Sequence, residues 1–257
     1  MIVSELAKLR RSSLWIVAVV LPVLAVTAGT LNYHGNQDVL SSGWGPYRSQ
    51  AVLFYGLFFM SMGVAVLASA AWRMEHRGNN WNLLMTTPAR PSAIVGAKIV
   101  SLALVVTAMQ MVLLVLIGLT GTWVLGLEGA PPWEYVPVAL LAVVAALPVA
   151  ALQSLLSMLI RSFTAPVALG LLGCALGVAT MLGGEGGVVS YLVPQALVTS
   201  ASFLGNGAVS GSAEIDPSAV GAIVLSASAL TGLLWWLSAF ALLRHRQSHD
   251  QAQGDVG

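Results

Sequence analysis

The sequence predicts an all-α integral membrane protein with six transmembrane helices, and two observations support this fold class. Of the 257 residues, 57% are hydrophobic and only 8% are charged, whereas about a quarter of the residues of a soluble domain are charged. Six segments are also long and apolar enough to cross a bilayer, which takes about 20 residues each. These segments are residues 14–31, 51–72, 99–126, 136–160, 164–183 and 219–243. We expect all of them to be helices, because lipid offers backbone groups no hydrogen-bond partner.

The first element, residues 1–13, has the pattern of an amphipathic helix. Ile2, Leu6 and Leu9 recur at helical spacing, with charged residues between them. Such a helix lies along the membrane surface before the chain enters the bilayer. The alternative is a positively charged flank that only sets the topology of the first span.

The distribution of basic residues predicts the orientation of the chain. Ten of the eleven Lys and Arg residues fall on one set of flanks, and Arg48 is the only one on the other set. The second set carries six acids: Asp38, Glu128, Glu134, Glu185, Glu214 and Asp216. Since positive flanks stay in the cytoplasm, we expect a multi-pass protein of the cell membrane with both termini cytoplasmic.

The connection between the second and third spans, residues 73–98, holds four of the eleven basic residues. Within it, Trp81, Leu84 and Met85 are spaced to form one apolar face of a short helix, which Pro88 and Pro91 would end. A short helix of this kind suits docking into a groove on another protein. Equally, Trp81 and Leu84 could dip into the membrane interface as an aromatic belt does.

The sequence also bears on the energy source. None of the six apolar segments contains Asp, Glu, Lys or Arg, whereas ion-driven transporters usually place ionisable groups within the membrane. The residues around Lys98 lack the glycine and the Ser or Thr of a nucleotide-binding loop. We therefore expect no cofactor in this chain, with ATP and Mg²⁺ bound by a separate partner subunit. His245 and His249 in the tail, residues 244–257, are too few for a metal site, so a solvated tail is expected.

Three stretches carry a resemblance to a known family. They are "SELAKLRRSSLW" leading into a helix with Pro22, "EHRGNNWNLLMTTPARPSAIVGAK", and "YLVPQALVTSASF" before the last span. The chain resembles a permease subunit of an ABC-2-type exporter, similar to the lantibiotic-immunity and multidrug branch. The resemblance covers essentially the whole chain, 1–257, as one transmembrane permease domain.

The resemblance implies an architecture and a set of partners. It implies an N-terminal elbow helix, six spans, and half-helices in residues 184–218 that dip into the outer leaflet. Two permease subunits, identical or homologous, would pair in the lipid membrane. Two cytoplasmic ABC ATPases would dock on residues 73–98, with Glu75 and the helix around Trp81–Thr87 as the coupling element. No nucleic-acid partner is expected.

Candidate cargo contacts lie in the second, third and fourth spans. Aromatic rings crowd the outer half of the second span, and flat rings suit amphipathic cargo, although such residues often face lipid or pack between helices. Two glutamines at membrane depth are expected to face protein or a cavity. The candidate set is Phe54, Tyr55, Phe58, Phe59, Gln110 and Gln153.

The function predicted from these patterns is a non-enzymatic permease subunit that exports an amphipathic peptide, drug or lipid-like compound, or extracts it from the membrane. Such a protein would contribute to multidrug or antimicrobial-peptide resistance. A non-transporting scaffold or sensor subunit, a membrane-embedded lipid-processing enzyme and an importer permease remain as alternatives.

Overall fold

The computed structural model describes residues 2–10, 14–78, 80–131, 133–182, 188–206 and 214–254. Within these ranges most residues are helical and none is in a strand. Six of the described helical segments are long and apolar enough to cross a membrane, which confirms the predicted fold class. The helices in chain order are α1 (Ile2–Arg10), α2 (Leu14–Gly35), α3 (Trp44–Phe54), α4 (Met60–His76), α5 (Asn80–Thr86), α6 (Pro91–Leu119), α7 (Val136–Leu159), α8 (Thr164–Leu182), α9 (Val188–Leu192), α10 (Pro194–Phe203) and α11 (Pro217–Gly254).

The second and third crossings are longer than the apolar segments that predicted them. A π-helical turn, Tyr55–Phe59, joins α3 to α4, so that Trp44–His76 is one helix of 33 residues. A second π-helical turn extends α6, giving a crossing over Pro91–Val124. The extensions carry charged side chains into the ends of the bundle. The predicted loop 73–98 is therefore shorter, since its two ends belong to α4 and α6.

The core of the bundle forms around α7, which packs against α4, α6, α10 and α11. Small residues dominate the buried face of α7, including Ala145, Ala146 and Ala150. This allows the neighbouring helices to approach closely. One large apolar cluster occupies most of the bundle, and a second cluster, which includes Trp72, Met85 and Met158, lies near the α4–α5 connection.

Glycines mark two of the closest helix contacts. A Cβ atom on Gly29 of α2 would lie 2.6 Å from the Gln50 carbonyl oxygen in α3. A Cβ atom on Gly177 of α8 would lie 3.1 Å from the Ala196 nitrogen in α10, and Gly173 faces Gln195 of the same helix. The G-x-x-x-G pair of α8 thus packs within the subunit.

The segment before the last span contains the two short helices α9 and α10. Eight of the ten residues of α10 are buried, among them Leu197, Val198 and Phe203, and the helix packs on α7 and α8. Packing on protein is what a short helix at membrane depth requires, because its ends expose backbone polar groups. Residues 184–187 and 207–213 of the predicted segment 184–218 lie outside the described residues.

The C-terminal tail is helical and exposed at Arg244, His245, Gln247 and Ser248, and Arg246 attaches it to the bundle. The last helix, α11, continues through residues 244–254. Arg246 donates hydrogen bonds to the carbonyl oxygens of Ala89 at 2.8 Å and Leu84 at 2.9 Å. The His245 ring lies edge-on to Trp81, with 6.1 Å between centroids. Because the guanidinium can satisfy carbonyl oxygens left free at the end of α5, the tail is tied to the α5–α6 connection.

Candidate functional site

Four charged side chains from three helices form one ion-pair cluster at the end of the bundle beside α5. The Lys98 ammonium lies 2.8 Å from Oε1 of Glu75 and 2.7 Å from Oε2 of Glu5. The Lys8 ammonium lies 2.8 Å from the same Glu75 oxygen and 2.9 Å from Oε1 of Glu5. We call these four residues the charge cluster. It ties α1 to α4 and to α6.

Burying charged groups destabilises the folded state unless each charge is compensated by one of opposite sign. Lys98 is 1% exposed and Glu75 is 4% exposed. Two ammonium groups face two carboxylates, so the cluster is neutral as a whole. The Lys98 ammonium also lies 5.0 Å from the centroid of the Trp72 ring, a position in which the ring face attracts a cation. Removing a buried member of such a group leaves a buried charge without compensation and is strongly destabilising.

Lys8 is the member nearest to solvent. Partial burial opposes its charged form, but hydrogen bonds from its ammonium to Glu5 and Glu75 outweigh this and raise its pKa above the ordinary value of 10.5. Lys8 is therefore charged at any physiological pH and completes the neutral cluster.

The short helix α5 follows the charge cluster directly, and its apolar face points inward. Met85 is 6% exposed, and Trp81 and Leu84 pack against the same inner cluster of apolar residues. The Trp81 ring stacks on His76, with 4.8 Å between centroids. Trp81 and Leu84 remain partly exposed, and the contact of this face with a partner stays a prediction. The bundle itself provides the apolar surface that this face needs.

The outward face of α5 is formed instead by Asn82, Leu83 and Thr86, all of which are exposed. Leu83 is 59% exposed, and it lies within the expected coupling helix Trp81–Thr87 without having been singled out as a contact residue. Helical spacing could have identified Leu83. Trp81, Leu84 and Met85 share one face of the helix, and Leu83 is the apolar residue that lies outside this face.

A cavity of about 570 Å³ lies between the charge cluster and α5. Lys8 and Glu75 line it from one side, and Leu83 and Leu84 line it from the other. His76 completes the connection of this region to the core through a 3.0 Å hydrogen bond with the Ser157 carbonyl oxygen in α7. The coupling candidate Glu75 thus lies at the base of α5, next to the cavity and in contact with two cations.

The predicted cargo residues are not gathered in one place. Tyr55 and Gln110 line one cavity at the opposite end of the bundle. Phe54 and Phe58 are 42% and 38% exposed on the outside of the bundle, and Phe59 is packed edge-on against Phe58 at 5.6 Å. Gln153 is fully buried close to the position that a Cβ atom on Gly170 would occupy.

Three members of the charge cluster, Glu5, Lys8 and Lys98, were not singled out as site residues from the sequence. A usable signal was present, since Glu75 is the only acid between the second and third spans. A carboxylate at the end of an apolar helix needs a cation from another segment. The sequence alone does not show which basic residue pairs with Glu75, because ten Lys and Arg residues fall on the same predicted side of the membrane.

The fold and this site define a polytopic α-helical membrane protein whose spans are tied, at one end, to a short peripheral helix. Residues 1–177 match the family described as ABC-2 family transporter protein, and the chain belongs to that family. It is a permease subunit, the membrane component of an ABC transporter. No curated protein and no solved structure shows significant similarity to the chain.

Proposed function

We propose that the chain is the permease subunit of an ATP-driven exporter that moves an amphipathic peptide, drug or lipid-like compound out of the cell or its membrane. In this proposal the end of the bundle that holds the charge cluster and both termini faces the cytoplasm of a cell membrane. Two permease subunits pair, and two ABC ATPases dock on α5. The lantibiotic-immunity and multidrug branch fits this role.

The observation that supports the coupling role is the charge cluster. It fixes α1, α4 and α6 to one another where α5 begins, while Arg246 fixes the other end of α5 to α11. A force applied to α5 therefore reaches four helices at once. A flexible loop in the same place would absorb that force.

The exposed face of α5 is the part available to an ATPase. Leu83 stands outward between Asn82 and Thr86, which gives a polar helix face with one apolar side chain at its centre. Interface anchors lie near the centre of a contact and are surrounded by residues that exclude water, and Leu83 has that position on the exposed face of α5. We assign Leu83 as the docking anchor, Glu75 as the residue that transmits the motion, and Trp81, Leu84 and Met85 as the attachment of α5 to the bundle.

The test compares the two faces of α5. Leu83→Asp should abolish co-purification of the ATPase at normal membrane abundance, since loss of an anchor costs about 2 kcal/mol, roughly thirtyfold in affinity. Leu83→Met, which keeps an apolar side chain, is the matched control and should retain the ATPase. Trp81→Ala should instead lower the unfolding temperature of the permease.

The outcomes separate the alternatives. If Leu83→Asp retains the ATPase at normal affinity, α5 is not the docking element. If the ATPase stays bound to the wild-type permease and no compound moves across proteoliposomes, the scaffold or sensor role is favoured over export.

A further inference from the structure

The cavity beside α5 holds one cation that the charge cluster does not compensate. The cavity has a volume of about 570 Å³, and its charged lining residues are Lys8, Glu75 and Arg77. Lys8 and Glu75 belong to the neutral charge cluster, in which Oε1 of Glu75 accepts hydrogen bonds from both lysine ammonium groups. Arg77 has no part in that cluster, so the lining as a whole carries an excess of positive charge.

The Arg77 guanidinium has no hydrogen-bond or ion-pair partner among the residues that the structure describes. Arg77 follows α4 directly and is exposed. The neutral polar side chains of the lining are engaged within the chain. The Asn80 amide donates to the Met74 carbonyl oxygen at 2.8 Å, and the Thr87 hydroxyl donates to the Leu83 carbonyl oxygen at 2.7 Å. The N–H donors of Arg77 are thus available to an acceptor from outside the chain.

An exposed apolar side chain stands beside this cation. Leu83 lines the same cavity and is 59% exposed. It lies on the outward face of α5 between Asn82 and Thr86, which are also exposed. An occupant that contacts both Arg77 and Leu83 therefore needs a negative group next to an apolar one. An acidic residue beside an apolar residue in a protein chain supplies this combination.

We propose that the cavity receives an acidic side chain of the ATPase, whose carboxylate accepts two hydrogen bonds from the Arg77 guanidinium while an apolar neighbour packs on Leu83. The inference rests on the proposed function, because docking of the ATPase on α5 brings the partner to the cavity. A planar guanidinium matches the two oxygens of a carboxylate. A cavity of about 570 Å³ lies in the range that holds drug-sized molecules, so it has room for an acidic side chain and part of the segment that carries it.

The surroundings of the cavity favour a protein carboxylate over the phosphate of an anionic lipid. The outward face of α5 carries polar Asn82 and Thr86 on either side of Leu83, whereas the acyl chains that accompany a phosphate need a continuous apolar surface. Ten of the eleven Lys and Arg residues also fall on this predicted side of the membrane. Such an excess of positive charge attracts an acidic protein surface and speeds its encounter.

The first experiment measures binding of the purified full-length permease in detergent to the immobilised ATPase that co-purifies with it, by surface plasmon resonance. Arg77→Gln removes the charge and should weaken binding about tenfold, as loss of a charge-assisted hydrogen bond does. The change should lie in the dissociation rate, because a charge pair enclosed at an interface acts there, whereas a rim charge mainly changes the association rate. Arg77→Lys keeps the charge and loses the paired geometry, so it should weaken binding about threefold.

Arg90→Gln is the matched control. Arg90 is exposed directly before α6 and does not line the cavity. Its replacement should leave the dissociation rate of the ATPase unchanged. Both arginines are exposed, so the unfolding temperature of each variant should equal that of the wild type.

A second experiment locates the carboxylate of the partner. A carbodiimide joins a carboxylate to an amine that touches it, so permease with Arg77→Lys should crosslink to the ATPase. Mass spectrometry of the product should identify an Asp or Glu that has an apolar residue beside it. Permease with Arg90→Lys should give no crosslink above the wild-type level.

The outcomes separate this inference from the proposed function. If Leu83→Asp removes the ATPase while Arg77→Gln leaves its dissociation rate unchanged, docking on α5 stands and the acidic contact is wrong. Equal effects of Arg77→Gln and Arg90→Gln on the association rate alone also overturn the contact, since they indicate general charge attraction. If no ATPase accompanies the wild-type permease, both proposals are wrong. If Arg77→Gln loses bound phosphatidylglycerol in native mass spectrometry and keeps normal ATPase dissociation, the cavity holds a lipid headgroup instead.

Discussion

The two ends of the Trp44–His76 crossing both bury charge, but they surround it with different chemistry. At the α5 end, Glu75 meets two lysines that come from α1 and α6. At the other end, Arg48 stacks on an aromatic ring and borders an apolar cavity. One end is an ion-pair network, and the other places a guanidinium stacked on an aromatic ring beside a cavity of about 360 Å³.

The difference indicates what each end is built to contact. A neutral cluster of four charges joins helices and needs no ligand, so it suits a place where mechanical force enters the bundle. The other end holds an apolar cavity whose mouth is lined by Trp44, Trp123 and Trp133, and a concave apolar surface with a few polar groups is typical of a binding site. The predictions below test whether each end behaves according to this distinction.

The largest effect is expected from breaking the balance of the charge cluster. Lys98→Met removes one of two cations and leaves two carboxylates facing Lys8 alone. Because the Glu75 carboxylate is buried, we expect a loss of about 3 kcal/mol in the free energy of unfolding. Thermal unfolding in detergent, followed by circular dichroism, measures the change.

The control for Lys98→Met is the double variant Glu75→Gln/Lys98→Met. It removes one charge of each sign and leaves the neutral pair of Glu5 and Lys8. We expect it to recover most of the lost stability. A double variant as unstable as the single one would mean that Lys98 acts through packing against Trp72 and not through charge balance.

A smaller effect is expected at the aromatic end. A Cβ atom on Gly121 would lie 2.6 Å from Cη2 of Trp44, so Gly121→Ala displaces the indole and its 3.0 Å hydrogen bond to the Glu128 carbonyl oxygen. The expected cost is about 1 kcal/mol, as in other overpacked sites. The unfolding temperature and the Trp emission maximum should both shift.

The neighbouring Gly118 supplies the control. A Cβ atom there would meet Pro131 only at 3.9 Å, and the residue lies inside α6. Gly118→Ala should therefore be neutral or stabilising by about 0.5 kcal/mol, since alanine favours a helix over glycine. If the two substitutions behave alike, the position of Trp44 does not depend on Gly121.

Most of the fold could be predicted from the sequence because lipid restricts the possible structures. The six apolar segments identify the six crossings, since a spanning chain must be helical. The helix ends were placed less well. Arg48, Glu75 and Lys98 were assigned to loops because an isolated charge in a membrane helix is costly, and only tertiary pairing allows the helices to continue through them.

The candidate site was less predictable for a related reason. The apolar face of α5 was identified correctly, but helical spacing does not show whether the same chain or another protein packs against that face. Trp81 packs on His76 and His245, and His245 is about 160 positions away in the chain. Contacts between residues so far apart in the chain leave no periodic pattern in the sequence. The sequence therefore does not show whether the bundle or a partner protein covers the apolar face of α5.

The smallest effect is expected from Lys8, the member of the charge cluster nearest to solvent. Its side chain is 43% exposed, so its ion pairs are weakened by water, and Lys8→Ala should cost about 0.5 kcal/mol or less. Most of that difference should disappear in about 1 M salt, where screening acts over about 3 Å.

The pH dependence of the Lys8 contribution follows from its raised pKa. A lysine with a higher pKa in the folded state stabilises the fold fully below the unfolded value of 10.5, and the contribution is lost as pH rises through the folded pKa. The gap in unfolding temperature between wild type and Lys8→Ala should therefore be constant from about pH 6 to pH 9 and should close only as the pH rises beyond 10.5. Unfolding scans of both proteins across this range measure it. A gap that closes near neutral pH would show that Lys8 is not held charged by Glu5 and Glu75, and the charge cluster would then consist of Lys98 and its two carboxylates alone.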